Sequence, residues 1–144
     1  MLRGKELAVA HWQQIATLDA AIKSLPDQYD LAANTKHYFA HGTYVRELFV
    51  PANTVLTGMI HKHSCVNIMV RGKIRVISSA GTRDLEGYNV FVSGAGEQKA
   101  AYVLEDLVFL NVFPWEGPED AERAEQLLAY ESWTDAERDQ CLLG

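Results

Sequence analysis

The chain has 144 residues, 48% of them hydrophobic and 22% charged, and a formal net charge of −6. This ordinary globular composition excludes a disordered chain and a collagen-like repeat, and the length suits one domain with its own core. The acidic excess lies in residues 105–144, which carry two basic and eleven acidic side chains, so we expect no nucleic-acid partner. The sequence contains no run of 18 apolar residues and no apolar leader segment, which predicts a cytoplasmic protein without a membrane span.

The N-terminal region is predicted to be helical. Over residues 5–25, apolar side chains recur every three or four positions, and Pro26 ends the pattern because the residue before a proline avoids helical geometry. From residue 36 the period changes to two. Strands are predicted at 43–50, 55–61, 66–70, 73–78, 89–93, 100–104 and 107–113.

Turn signals separate these strands, including Arg71-Gly72 and Glu105-Asp106. Short strands without intervening helices favour an antiparallel sandwich or barrel. Helix returns at residues 118–130, with Pro118 in the first turn, and a second short helix is predicted to start at a capping box formed by Thr134 and Glu137. The sequence therefore predicts one mainly β domain with an N-terminal helix (5–25), a barrel (36–113) and C-terminal helices (118–143).

A histidine pair is the strongest chemical signal. His61 and His63 are one residue apart, so on a strand both imidazoles face the same way, and Cys65 and Asn67 continue that parity if the strand is unbroken. Two imidazoles on one face can hold a transition metal when further ligands come from elsewhere. A solvent-facing or hydrogen-bonded histidine pair is the alternative interpretation.

Three further residues, Glu47, Lys99 and Tyr102, are candidates for lining the barrel interior. Arg46 and Glu47 lie on opposite faces of one predicted strand, so one of them points inward if that strand is covered. Glu47 could pair there with Lys99 or replace a metal ligand, and an edge strand with both charges solvated is the alternative. Tyr102 either lines the barrel mouth or packs in the core.

The all-β middle, with His-x-His on its third predicted strand and a later Gly-x-Gly hairpin, resembles the cupin superfamily over residues 40–113. The resemblance implies a small jelly-roll barrel that holds one metal ion. In the first cupin motif, G-x5-H-x-H-x3-4-E-x6-G, His61 and His63 match the metal-binding histidines and Asn67 stands at the glutamate. In the second, G-x5-P-x-G-x2-H-x3-N, Lys99 stands at the histidine, so two of four family ligands are present.

The two replacements weaken the implied metal site. The amide oxygen of Asn67 is a poorer ligand for a dication than a carboxylate, and the ammonium of Lys99 repels a cation. Cys65 could supply a thiolate, which would favour zinc over redox iron, or could be a small buried hydrophobic residue. The resemblance therefore implies either one divalent ion of Zn, Fe, Mn or Ni held by His61, His63, Cys65 and Asn67, or no metal.

Two functions follow from these observations. The first is a non-catalytic cupin that binds a small molecule, such as an anion attracted by Lys99, or acts as an accessory protein. The segment 41–62 is also similar to single-domain cupins of tailed phages and prophages. The second is a metal-dependent enzyme that carries out dioxygenation, isomerisation or hydrolysis of a small polar substrate.

The terminal regions carry more apolar surface than one side of a small barrel needs. Trp12 and Ile15 belong to the first predicted helix, and Trp115 and Trp133 flank the last ones. Because a closed two-fold dimer is the commonest assembly of such proteins, we expect a homodimer. Its contact would come from the first-strand region or from the terminal helices.

Overall fold

The structure, a computed structural model, describes residues 4–143 and the side chains of residues 6–139. Its helices are α1 (Gly4–Lys23), α2 (Ala121–Leu128) and α3 (Trp133–Leu143), and a single 3-10 turn covers Ala32–Asn34. Its strands are β1 (Thr35–Ala40), β2 (Thr43–Val50), β3 (Val55–Thr57), β4 (Ile60–His61), β5 (Cys65–Ser78), β6 (Gly81–Glu86), β7 (Asn89–Ser93), β8 (Ala100–Pro114) and β9 (Ala129–Tyr130). None of the described helices has the length and hydropathy of a membrane span.

Seven strands form one antiparallel sheet in the order β1-β2-β8-β5-β6, with β3 pairing with β8 and β7 with β5. The two long strands change partners along their length. The first half of β5 pairs with β7 and its second half with β6, while β8 pairs with β3 near its start and with β2 near its end. The sheet thus divides into two layers that share β5 and β8, which confirms the predicted mainly β jelly roll.

The core fills the space between the two layers. Val50, Met69 and Val103 are fully buried in it, and each comes from a different strand. Along β2 and the first half of β5, buried residues alternate with more exposed ones, as expected for strands that cover a core with one face. This alternation decides which polar side chains enter the barrel.

Gly72 marks the place where β5 bends. The sequence predicted hairpin turns at Arg71-Gly72 and Glu105-Asp106, and both predictions are wrong, because β5 and β8 continue through them with a shifted pairing register. Gly72 has φ +118°, which residues with a side chain rarely adopt. A Cβ there would lie 2.7 Å from the Asp106 carbonyl oxygen. Glycine therefore bends the paired strands instead of reversing the chain.

Other predicted boundaries also differ. The predicted strand 55–61 is two strands, β3 and β4, separated by Gly58-Met59, and β4 pairs with β9. The predicted helix 118–130 begins at residue 121, because the Asp120 side chain caps it by accepting the Arg123 N–H at 3.2 Å. Pro118 precedes this helix and is not in its first turn.

The two remaining helices lie at one end of the barrel. Trp12 of α1 is buried, and its indole N–H donates to the Gly96 carbonyl at 2.9 Å. It packs with Ile60 of β4 and Ala136 of α3 in a separate small cluster. Ser132 accepts the Asp135 N–H at 3.3 Å at the start of α3, so the helix is capped two residues before the predicted capping box of Thr134 and Glu137. The helices therefore close an end of the barrel and leave its interior lined by strands.

The bend generates a stability prediction. Gly72 and Gly81 have nearly the same backbone angle, φ +118° and +117°, but a Cβ at Gly81 would meet nothing within 4 Å. Both alanine variants carry the backbone strain of about 1–3 kcal/mol, and only Gly72→Ala adds a clash with the β8 backbone. We expect Gly72→Ala to lower the free energy of unfolding by at least about 2 kcal/mol more than Gly81→Ala, measured by urea denaturation. Equal losses of unfolding free energy in the two variants would show that the close approach of the β8 backbone to Gly72 does not add to the cost of a side chain there.

Candidate functional site

The histidine pair is divided between the interior and the surface. His61, at the end of β4, is half-buried, and its ring lies 5.3 Å from that of Phe113. His63 is exposed, because the chain leaves strand geometry after His61 and re-enters it at Cys65. The prediction that both imidazoles share a face required an unbroken strand and is wrong for His63. Cys65 and Asn67 do face the interior, as the parity predicted.

Arg46, not Glu47, is the charged residue of β2 whose side chain points into the barrel. The alternation along β2 buries Tyr44 and Leu48 on its inner face, and Arg46 lies between them with a side chain 14% exposed. Glu47 therefore points outward, 4.0 Å from the ammonium of Lys36. The predicted inward role of Glu47, as a partner of Lys99 or as a metal ligand, is wrong because the large apolar neighbours of Arg46 set the parity of the strand.

Lys99 and Tyr102 have different positions. Lys99, just before β8, lines the barrel cavity, as expected. Tyr102 points outward from β8, opposite to the buried Val103, and its hydroxyl donates to Asn53 Oδ1 at 3.1 Å. It lies outside the cavity lining, so neither interior role predicted for it is correct.

A row of polar side chains crosses the inner face of the sheet. Arg46 is paired with Asn111, and Asn111 with Asn67, on the adjacent strands β2, β8 and β5. Asn111 Nδ2 donates to Asn67 Oδ1 at 2.7 Å, and Asn67 Nδ2 donates to Ser93 Oγ at 2.7 Å. Ser93 Oγ also accepts a hydrogen bond from Lys99 Nζ. Both amides are thereby fixed in orientation, as buried polar groups require.

These residues border a cavity of about 100 Å³ inside the barrel. One end is polar. Most of the wall is apolar, and its larger side chains are Leu31, Leu48, Leu56, Ile74, Leu107 and Phe109. The polar end is formed by Arg46, His61, Asn67, Lys99 and Asn111. An apolar cavity with convergent polar groups at one end is the form that small-molecule sites take.

Two basic side chains, Arg46 and Lys99, belong to the polar end. The Arg46 guanidinium lies 3.4 Å from Glu125 of α2 through one of its terminal nitrogens, while its Nε is buried and has no hydrogen-bond partner among the described residues. Lys99 lies 5.6 Å from the ring centre of Phe91, and burial lowers the pKa of its ammonium. Glu97 also borders the cavity, but its carboxylate accepts the N–H and hydroxyl of Ser79 at 3.1 and 2.6 Å.

His61 is held in its neutral form. Burial, followed by the positive charges of Arg46 and Lys99, lowers the pKa of His61 to about 4. Its Nδ1 is buried without a hydrogen-bond partner in the described part of the chain. Two nitrogens at the same end of the cavity, Arg46 Nε and His61 Nδ1, thus lack a partner. Such groups carry a free-energy cost unless a ligand or water satisfies them.

The predicted metal set is not assembled. Among the described side chains, those of residues 6–139, no three of His, Cys, Asp or Glu form a group that could hold a metal ion. His63 is at the surface, the amide oxygen of Asn67 is engaged by Asn111, and Cys65 packs with Tyr44 in an apolar cluster. Because Arg46 and Lys99 add two positive charges beside the one inward histidine, the donor set does not suit a dication.

Sequence reasoning missed Asn111 and Ser93 as parts of this site. Asn111 interrupts the apolar run Leu107–Phe113 at a position with the parity of buried residues, which was the available signal. Ser93 ends a predicted strand, where a serine attracts no notice. Its role depends on the pairing of β7 with β5, which sequence spacing alone does not specify.

No protein-family profile matches the chain, and no curated protein matches its sequence. Several solved structures do match the structure of this chain. The cupin domain of Cnp3 from Schizosaccharomyces pombe matches 66% of this chain and 67% of its own, with a TM-score of 0.50 and 17% identity. The DMSP lyase DddQ from Ruegeria pomeroyi matches with a TM-score of 0.51 and 10% identity over 66% of this chain, which spans about half of that lyase (54%).

KdgF from Halomonas sp. matches 63% of this chain and 89% of its own, with a TM-score of 0.49 and 19% identity. At such low identities, structural likeness shows the fold and not the function. The strand order, the two long strands that run through both layers, and the likeness to the cupin domain of Cnp3 together show that the chain has the cupin fold.

Proposed function

We propose that this protein binds a small carboxylate anion inside its barrel, without a metal ion and without catalysing a reaction on it. The observation that carries the proposal is the convergence of two cations and two unpartnered buried nitrogens at the polar end of the cavity. Arg46 and Lys99 both border it, and Arg46 Nε and His61 Nδ1 have no hydrogen-bond partner among the described residues. A bound anion would pair with these groups.

Arg46 is the main anchor in this proposal. Buried positive charge carries a free-energy cost that a paired anion offsets. The guanidinium is planar, and its geometry matches a carboxylate through two parallel hydrogen bonds. The long 3.4 Å contact with Glu125 and the unpartnered Nε leave donors of Arg46 available for that pairing.

Lys99 and His61 complete the polar end. The Lys99 ammonium is already oriented by Ser93, which the Asn67 amide holds in turn. With a pKa of about 4, His61 is neutral at pH 7, so its unpartnered Nδ1 can donate one hydrogen bond to a ligand oxygen without adding a third charge. The cavity therefore offers donors from two cations and one neutral group.

The apolar walls limit the remainder of the ligand. A cavity of about 100 Å³ has the volume that roughly three water molecules take up in the liquid. Since Leu48, Ile74 and Leu107 border it, a short hydrocarbon chain would contact them while the carboxylate faces Arg46. A monocarboxylate of a few carbon atoms has this shape.

Two features of the site favour binding over turnover. Burial raises the pKa of the Cys65 thiol, so the reactive thiolate form is disfavoured. The Asn67, Asn111 and Ser93 side chains are engaged with one another in a fixed network that positions donors. The Lys99 ammonium donates to Ser93 Oγ and therefore cannot act as its base while it is protonated. A binding or accessory role suits this arrangement.

Calorimetric titration with propionate tests the proposal, and propionamide serves as a neutral probe of nearly the same shape. We expect propionate to bind and propionamide not to. Replacing Arg46 with methionine removes charged hydrogen bonds worth about 1.5–3 kcal/mol each, so Arg46→Met should weaken propionate binding by roughly 10- to 100-fold. Lys99→Met should act in the same direction.

Arg75→Met is the matched control, since Arg75 is exposed and pairs with Asp84 at 2.9 Å outside the cavity. Its affinity for propionate should equal that of the wild type. Equal binding of propionate and propionamide, or equal losses in Arg46→Met and Arg75→Met, would contradict the proposal.

The same substitution separates binding from stability. Arg46 is a largely buried cation with an unpartnered Nε, and Glu125, its partner, retains 36% of its side-chain exposure. Removing one partner of an ion pair is costly when the other charge stays buried, but the carboxylate of Glu125 is exposed enough to be solvated after Arg46 is replaced. We therefore expect the unfolding free energy of ligand-free Arg46→Met, measured in urea, to equal or exceed that of the wild type. A loss of more than about 2 kcal/mol would make Arg46 a structural residue instead.

His61 generates a pH prediction. Its pKa is about 4 in the folded protein, below the value of 6.5 for a free histidine. The unfolded chain therefore binds more protons between these values, and stability falls as the pH decreases through them. Between pH 7 and pH 4.5 the wild type should lose about 2 kcal/mol more unfolding free energy than His61→Gln. The exposed His63 supplies the control, because His63→Gln should keep the pH dependence of the wild type.

A further inference from the structure

The outer face of one sheet layer is apolar across five strands. In one register row, side chains that face away from the core lie side by side on β1, β2, β8, β5 and β7. They are Tyr38, Val45, Val112, Val66 and Val92. In the neighbouring row, Leu110, Ile68 and Val90 continue the surface. We refer to these two rows as the outer face.

Four of these eight side chains are exposed in the single chain: Val92 is 69% exposed, Val90 51%, Tyr38 49% and Val66 38%. The other four are partly exposed. Among the described residues, the helices make their larger contacts with β3, β9 and one another, and α2 also packs against the inward side chains Tyr44 and Phe113. None of these contacts involves the outer face. An antiparallel sheet with one free face normally alternates apolar and polar residues. The segment 65–70 instead has apolar side chains at each outward position, which is the pattern of a strand covered on both sides.

The accessible surface of the chain is also larger than the average for a monomer of its mass. A monomeric protein of 16.1 kDa exposes about 7,400 Å². This chain exposes 8760 Å². The excess of about 1,300 Å² is more than the roughly 800 Å² that each partner contributes to an interface of standard size.

We propose that the outer face is the interface of a two-fold homodimer. A flat antiparallel sheet packs on a copy of itself with strands roughly 30° apart and sheets about 10 Å apart, as in a β-sandwich. Five strands spaced about 4.8 Å apart give a contact roughly 20 Å wide. Charge is confined to one edge of the surface, where Lys36 and Glu47 neutralise each other, so no like charge opposes a second copy.

This interface differs in part from the contact that the sequence suggested. The first-strand region contributes through Tyr38 of β1, while α1 and α3 lie at the barrel end and away from the outer face. The barrel cavity opens on the opposite, inner side of the same strands, so each copy keeps its own cavity. The dimer is therefore independent of anion binding.

Sedimentation equilibrium of the full chain at micromolar concentration tests the proposal. We expect twice the mass of one chain for the wild type. A variant with Val66→Thr and Val92→Thr keeps the β-branched shape and strand propensity but places hydroxyls in the contact. Because each substitution occurs twice in a two-fold interface, dimerisation should weaken on the order of 100-fold.

The matched control combines Val55→Thr and Ile77→Thr, two exposed apolar strand positions (40% and 44%) outside the outer face. It should dimerise like the wild type. A wild-type mass of one chain, or equal dissociation of the two double variants, would overturn the proposal. If the Val66/Val92 variant fails to fold, hydrogen exchange of the wild type across a dilution series decides, since amides of β7 should lose protection as the dimer dissociates while those of β3 do not. Protection of β7 that is independent of concentration would also overturn it.

Discussion

The pairing of β5 with β8 is the interaction on which the rest of the structure depends. These two strands run through both layers of the barrel, and every other strand of the main sheet is attached directly to one of them or, for β1, through β2. Their common bend at Gly72 needs a residue without a side chain, because the β8 backbone approaches within 2.7 Å of the position that a Cβ would take. The bend turns one sheet into two facing layers and so creates the space between them.

The candidate site is a direct product of this pairing. Asn67 and Asn111 face each other because β5 and β8 are in register there, and β2 adds Arg46 to the same row. Each polar residue lies on a strand whose other inward residues are apolar, so the burial of those neighbours forces the polar group inward. The barrel thus carries two cations and a neutral histidine where the family resemblance implied a metal ion. Asn67 and Lys99 stand at two of the four positions where the resemblance implies metal ligands, so the interior of this barrel has a different chemistry on the same fold.

Local pattern was enough to predict the mainly β architecture, the first helix and several strands, since those features depend on short-range periodicity. It failed where the outcome depends on distant partners. Arg71-Gly72 has the composition of a turn, and only the approach of Asp106 and Leu107 shows why the strand continues. Strand alternation predicted the inward positions of Cys65 and Asn67 correctly. It failed for His63, because the bend between β4 and β5 is not marked by a glycine or proline. The choice between Arg46 and Glu47 required the knowledge that Tyr44 and Leu48 cover the core.

The position of β8 also has a consequence for synthesis on the ribosome. β8 spans residues 100–114 and lies between β2 and β5, so the two earlier strands have no direct contact in the sheet. While the first hundred residues emerge, local hairpins such as β1-β2 and β5-β6 can form. The strands β2 and β5 still lack β8, the strand that lies between them in the complete sheet. The barrel therefore closes late, after residue 114 has left the exit tunnel, and the apolar strands of the nascent chain remain without a core until then. A protein with this strand order depends on the last strand of its main sheet to protect the first ones from association with other chains.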